Sequence, residues 1–417
     1  IVNFARIMRV MDAGVGVYKD LRAAHGTWLA ACLALLSLLL PIAPVAVPPL
    51  LILTAVLLVV RYRTEGSPRW FREPAMLAPI LFFLVYVIGL AWTEDFGYAF
   101  FDLEIKLPIG LLPMAILFVP TRARVGGERM MALFIAGNVI AVGACVVMVP
   151  VHLLMGRGVL ASQLFGSDFS LFLHPSYFAL YLSIALSALL FGSVRVSGIP
   201  GAALSLVLVM GIVLTGSKAG WICLVLLLAA TVVQHRRGPA LWLLTGAVVV
   251  ASVTAALSAN LRERLQEAWH AMNDDSLHPE ATTSSEVRKM AWYSAKEVAA
   301  QDWPWGAGTG DVKNELMERH AANGFSHLVQ ERINAHQQYL QTAATLGLPG
   351  VLSIAALLLV PLWSAWRSRQ WAAVAFLLLS ALNWAVESML EVKAGTDIHA
   401  WALLTFAFMR NVRTSTA

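Results

Sequence analysis

The chain has 417 residues, of which 59% are hydrophobic and only 13% charged, with a mean hydropathy of +0.70. A soluble globular protein carries about 25% charged residues, so charge this sparse, spread between long apolar runs, excludes an ordinary soluble domain. The net charge of +5 does not point to nucleic acid, because the basic residues sit in short segments between the runs, where a membrane protein keeps them.

Residues 1–25 carry Arg6, Arg9, Lys19 and Arg22 among apolar side chains, with no small-residue cleavage site. They read as an interfacial amphipathic helix rather than a cleaved leader. A membrane span needs about 20 mostly apolar residues. Such runs fall at 26–42, 44–60, 75–93, 102–119, 130–154, 170–192, 198–216, 219–234, 239–258, 344–363, 371–387 and 398–409. The fold class expected is therefore all-α, a polytopic bundle of about 12 spans. Spans one to nine occupy 1–258, a long loop 259–343, and spans ten to twelve 344–417. The first two runs form a hairpin broken at Pro41, Pro44, Pro48 and Pro49, and the run at 102–119 starts with Asp102, Glu104 and Lys106. Cys32, Cys145 and Cys223 lie inside apolar runs without metal-ligand spacing, and no disulfide is expected.

Charge sets the direction of the spans. With the N-terminus inside, 18 of the 30 Lys and Arg fall on cytoplasmic segments and eight in the long loop, which translocates regardless of charge. Only Lys106, Arg157, Lys218 and Lys393 remain on short outer segments. Both termini are thus expected in the cytoplasm and the loop outside. Within that loop, Ser284-Ser285-Glu286 starts a helix whose stripe is Val287, Met290, Ala291, Ser294 and Val298. Trp303-Pro304-Trp305-Gly306 ends it, and Gly306 to Asp311 opens another helix to about His320.

The motifs divide into bland and chemical readings. Gly306-Ala307-Gly308-Thr309-Gly310 lacks the Lys-Ser/Thr of a phosphate loop and no strand precedes it, so it reads as a tight turn. Asp274-Asp275 reads as a polar turn, since nothing near it supplies further metal ligands. His336 stands shortly before a span with aromatic and amide neighbours, where a neutral imidazole can take a proton from a hydroxyl; a structural histidine is the plainer reading. Arg288 sits one turn from Trp292 on the loop helix, on a face that solvent alone would explain. Lys218 joins two spans on the outer side, for a lipid headgroup or for an anionic ligand. Lys106 has Asp102 one turn before it as its plain partner. His174-Pro175-Ser176-Tyr177 opens a span at the outer side, to line a cavity or to anchor the helix.

In this order the motifs resemble the O-antigen ligase and polymerase superfamily of bacterial envelope glycosyltransferases. They are Thr215 to Lys218, Arg288 to Trp292, Pro304 to Gly310, and Ala335-His336-x-x-Tyr339-Leu340 running to Gly347 and Gly350. The resemblance implies a GT-C-like membrane fold in the bacterial inner membrane with its active site in the periplasm. It implies a metal-independent, cofactor-free inverting transferase. The donor would be a glycan on undecaprenyl pyrophosphate, and the acceptor of a ligase the lipid A core. His336 matches the family's general base and Arg288 its pyrophosphate-holding arginine. Lys218, Lys106, Arg264, His174, Tyr177 and Tyr339 are the further substrate-binding candidates. Two positions depart from the family pattern: Lys218 replaces the usual arginine and Gln337 the usual asparagine. Lysine offers phosphate a point charge without the bidentate fork. An O-antigen polymerase or a protein O-oligosaccharyltransferase shares the donor chemistry; polymerases tend to carry a second large Arg-rich outer loop, whereas only Arg157 marks the segment 156–169 here. The reading from another class is a transporter, with Asp102, Glu104 and Lys106 as an intramembrane relay.

Overall fold

The computed structural model describes residues 26–62, 73–120, 126–156, 160–234, 273–274 and 276–409, with the isolated positions 246, 266 and 269. Among these residues every regular element is helical. We number the principal helices α1 (Gly26–Leu39), α2 (Val47–Tyr62), α3 (Pro74–Ile88), α4 (Phe96–Leu117), α5 (Gly127–Leu154), α6 (Pro175–Leu190) and α7 (Gly198–Leu214). There follow α8 (Lys218–Gln234), α9 (Ser284–Gln301), α10 (Val312–Ala322), α11 (Gln338–Arg367), α12 (Trp371–Trp384) and α13 (Lys393–Met409).

The protein is a helical membrane protein. Pro44–Tyr62, Pro74–Trp92, Gly127–Leu154 and Gln338–Arg367 are long and apolar enough to cross a bilayer, and α1, α6, α7, α8 and α12 are shorter apolar helices. The N-terminal amphipathic helix and the expected span at 239–258, apart from position 246, lie outside the described residues.

Helix boundaries move where polar side chains act. The run expected to begin at Asp102 starts at Phe96, because Asp95 caps the helix and accepts from the Tyr98 amide at 2.9 Å. Asp102 and Lys106 thus lie well inside α4. The run expected at 371–387 ends at Trp384, and 385–392 form an irregular segment with one 3₁₀ turn, Met389–Glu391.

Helix α11 packs on α3, α9 and α12, and α4 lies among α2, α3 and α13. The two ends of the bundle collect different segments. At one end, Gly26 approaches Arg61, Gly127 meets Thr405 and Met409, and the Gln370 amide donates to the Phe406 carbonyl at 3.3 Å. The other end gathers Glu94, Asp95, Lys218, the loop helices and 385–393.

The loop is locked to the bundle through a break in α11. Gly347 takes φ 55°, ψ −137°, and Pro349 has no amide to donate. The Ala344 and Thr345 carbonyls accept instead from Ala307 and Gly308 N–H at 2.9 Å each, and the Leu348 amide donates to the Pro304 carbonyl at 2.8 Å. The Gly-rich turn therefore completes the hydrogen bonding of a broken helix. Asp311 fixes its far side, accepting from the Glu94 and Asp95 amides at 2.8 and 2.7 Å. Helix α9 buries Val287, Met290, Ala291, Ser294 and Val298, the stripe expected from the sequence, together with Ala295.

Candidate functional site

The irregular segment 385–392 meets the N-terminus of α11 and the first turns of α9. His336 stands just before α11 in the left-handed region, φ 45°, a conformation that costs a non-glycine residue about 1–3 kcal/mol and persists only where its surroundings impose it. Its amide donates to Asn334 Oδ1 at 2.9 Å and its carbonyl accepts from Trp292 Nε1 at 3.3 Å. The next amide, of Gln337, donates to Ser388 Oγ at 3.0 Å. The ring is then aimed by Glu387: His336 Nδ1 lies 2.9 Å from Glu387 Oε1. With an ionised carboxylate as partner, Nδ1 carries the proton and Nε2 keeps its lone pair.

Arg288 completes the other side of Glu387. Its Nε donates to the Val386 carbonyl at 2.9 Å, its Nη1 to the Ser284 carbonyl and hydroxyl at 3.0 and 2.9 Å, and its Nη2 to Glu387 Oε2 at 3.4 Å. Four of five guanidinium N–H groups are so engaged. Burial pushes the Glu387 carboxyl up, but the hydrogen bond from His336 and the charge of Arg288 outweigh that and hold it below the ordinary carboxylate value. Glu387 is thus an anion shared by the two residues that sequence reasoning singled out. It was missed because it falls at the end of an apolar run counted as a span. The available signal was a pair of acids four apart, Glu387 and Glu391, interrupting the outer end of the runs at 371–409.

Lys218, the first residue of α8, donates to Ser285 Oγ at 3.0 Å, at the same end of α9 as Ser284 and Arg288. The turn before it is built by Gly216 at φ 62° and by Ser217 Oγ, which accepts from the Gly220 amide at 3.1 Å. His174 caps α6, with its ring edge-on to Tyr177. Partial burial lowers its ring value against the pull of Glu387, and the Arg288 charge adds to the lowering. Tyr339 is turned away into the α11–α12 seam, where its hydroxyl donates to the Ala381 carbonyl at 2.9 Å. Lys106 is fully buried between Asp102 at 2.5 Å and Glu391 at 3.0 Å. Glu104 faces elsewhere, onto Lys393. Arg264 lies outside the described residues.

Residues 203–355 match a family model described as O-antigen ligase. Over that stretch, a little more than a third of the chain, the sequence is similar to the O-antigen ligase family. The matched stretch contains Lys218, Arg288 and His336, whereas Glu387, Glu391, His174 and the Asp102–Lys106 pair lie outside it. No curated protein matches the chain.

Proposed function

We propose that the chain transfers a glycan from undecaprenyl pyrophosphate to a hydroxyl of the lipid A core, by direct displacement with inversion at the anomeric carbon, on the periplasmic face of the inner membrane. The observation that carries this reading is the His336–Glu387–Arg288 arrangement at one end of the bundle. Glu387 holds the Nδ1 proton, so Nε2 takes the proton of the acceptor hydroxyl as its oxygen bonds to the anomeric carbon. The bond from that carbon to the pyrophosphate breaks, and the leaving group departs with its charge on the polyprenyl carrier. A positioned base contributes about 10²–10⁴ in rate.

The leaving group gathers negative charge as its bond breaks, so a cation placed there stabilises the transition state more than the ground state. Arg288 and Lys218 flank the N-terminal end of α9, whose cap residue Thr283 makes no side-chain cap bond. Unfilled backbone amides at a helix N-terminus favour phosphate oxygens. Glu387 also keeps the guanidinium in place and lets it present its remaining N–H.

A transporter reading loses its relay, since Glu104 pairs with Lys393 and only Asp102 and Lys106 face inward. The deciding experiment is transfer in proteoliposomes from purified lipid-linked glycan, with lipid A core, the same lipid-linked glycan and an acceptor protein offered separately. Product on lipid A core supports the ligase reading. Elongation of the lipid-linked glycan identifies a polymerase, glycosylated protein an oligosaccharyltransferase, and no product with any acceptor refutes the reading altogether.

A further inference from the structure

Beneath the site lies a second ionic cluster that no step of the transfer uses. Lys106 and Asp102 sit one turn apart on α4, and the ammonium bridges to Glu391 Oε2 at 3.0 Å. Its remaining side faces the Tyr86 ring, 4.5 Å from the centroid. Lys106 has no exposed surface and its donors point at protein groups, so it does not reach a phosphate.

From Glu391 the hydrogen bonds run directly to the site. Glu391 Oε1 accepts from Gln338 Nε2 at 3.0 Å, and Gln338 Oε1 accepts from the Leu390 amide at 2.6 Å. Gln338 Nε2 also donates to Thr342 Oγ1 at 3.2 Å, and that hydroxyl lies 3.4 Å from the Tyr86 hydroxyl. Gln338 is fully buried and stands two residues after His336. Ser388, next to Glu387, takes the Gln337 amide. The segment 385–392 has only short turns of its own, so these bonds, together with that of Arg288 to the Val386 carbonyl, help to set where Glu387 points.

We propose that Lys106, Glu391 and Gln338 are positioning residues: a buried ionic post on α4 that pins the segment 385–392 to the start of α11 and thereby keeps the Glu387 carboxylate on His336. This rests on the proposed function for what the His336–Glu387 pair does, but the pairing itself is testable without it. A buried lysine between two carboxylates cannot simply be deleted, because two uncompensated anions would remain. Glu391→Gln is the balanced choice, since it removes the tether to Lys106 and leaves Lys106 neutralised by Asp102. Gln338→Met cuts the same path with no change of charge.

The experiment measures imidazole ¹⁵N signals of ¹⁵N-histidine-labelled full-length protein in nanodiscs, with His336 assigned by its loss in His336→Gln, alongside transfer kinetics. Both variants are expected to retain the wild-type fold by circular dichroism. The His336 signal is expected to change from one proton fixed on Nδ1 to a mixture of tautomers, as in Glu387→Gln. The kcat of transfer is expected to fall by about 10²-fold with KM for donor nearly constant, the size of effect that a small misplacement at a reacting centre produces. A wild-type His336 signal in either folded variant overturns the proposal. If the wild-type protein transfers no glycan, the proposed function fails while the tautomer result still decides the tether. If Glu391→Gln does not fold, Gln338→Met decides alone, and loss of fold in both overturns a purely positioning role.

Discussion

Replacing Glu387 by glutamine tests whether one carboxylate serves two partners. Its Oε1 accepts from His336 and its Oε2 from Arg288, so both positions need an acceptor. Glutamine has one acceptor and one donor. With the amide nitrogen towards Arg288, two donors meet and the guanidinium loses its anchor. With the nitrogen towards His336, the amide donates to Nδ1, the ring proton moves to Nε2, and the base is lost. An inverted tautomer in a histidine–carboxylate pair costs about 10⁴ in kcat, and loss of orientation alone falls within the 10²–10⁴ that a base supplies. We expect kcat to fall by about 10²–10⁴ in single-turnover transfer from lipid-linked donor, with the protein still folded. Glu387→Asp retains two acceptors and is expected to lose less. A Glu387→Gln enzyme within a factor of about three of wild type would refute the assignment of Glu387 as the group that orients His336.

Arg288→Ala is expected to lower kcat by about 10²–10³, and Arg288→Lys to recover only part, because lysine cannot reach Val386, Ser284 and Glu387 together; equal activity of the lysine variant and wild type would contradict the role of the fork. His320 on α10 is held neutral at a pKa of about 4, by burial first and then by Lys313, while its Nε2–H donates to the Ile333 carbonyl at 3.2 Å. Its folded value lies below its unfolded value, so its contribution is present above pH about 6.5 and is lost as pH falls towards 4, by up to about 3 kcal/mol. Thermal melts across that window should therefore fall more steeply for wild type than for His320→Gln, and parallel curves would contradict this. Gly347→Ala should prevent folding or lower the melting temperature sharply, because an added Cβ would lie 2.0 Å from the Pro304 carbonyl oxygen at φ 55°. A normal melting temperature would show that the break in α11 is not needed to seat the loop.

How much of this was legible in the sequence depended on whether a residue's role lay in a local pattern. The stripe of α9 follows from helical spacing alone, and it places Arg288 on the face away from the loop core. The tight-turn reading of Gly306 to Gly310 matched the turn found, although its partner, the broken helix at Gly347, is distant in sequence and left no local trace. Asp95 is a legible cap before Phe96, but the apolar run itself begins later, so hydropathy alone sets the helix start too far along the chain. Glu387 and Glu391 are obscured in the same way: a hydropathy window absorbs one acid at its edge, and pairing with His336 and Lys106 is a tertiary fact. Lys106, expected to bind substrate, is instead fully buried between two carboxylates. Asp102, one turn away, was its visible partner, while Glu391 arrives from 285 residues along the chain.

The central claim is that His336 removes the acceptor proton in metal-independent glycan transfer from undecaprenyl pyrophosphate. Its most direct test compares wild type and His336→Ala in proteoliposomes with purified lipid-linked glycan, lipid A core and chelator. The account predicts an inverted glycosidic product on lipid A core from wild type, undiminished by chelator, and a loss of about 10²–10⁴ in rate from a folded His336→Ala protein. Full transfer by His336→Ala, or transfer that chelator abolishes, would contradict it.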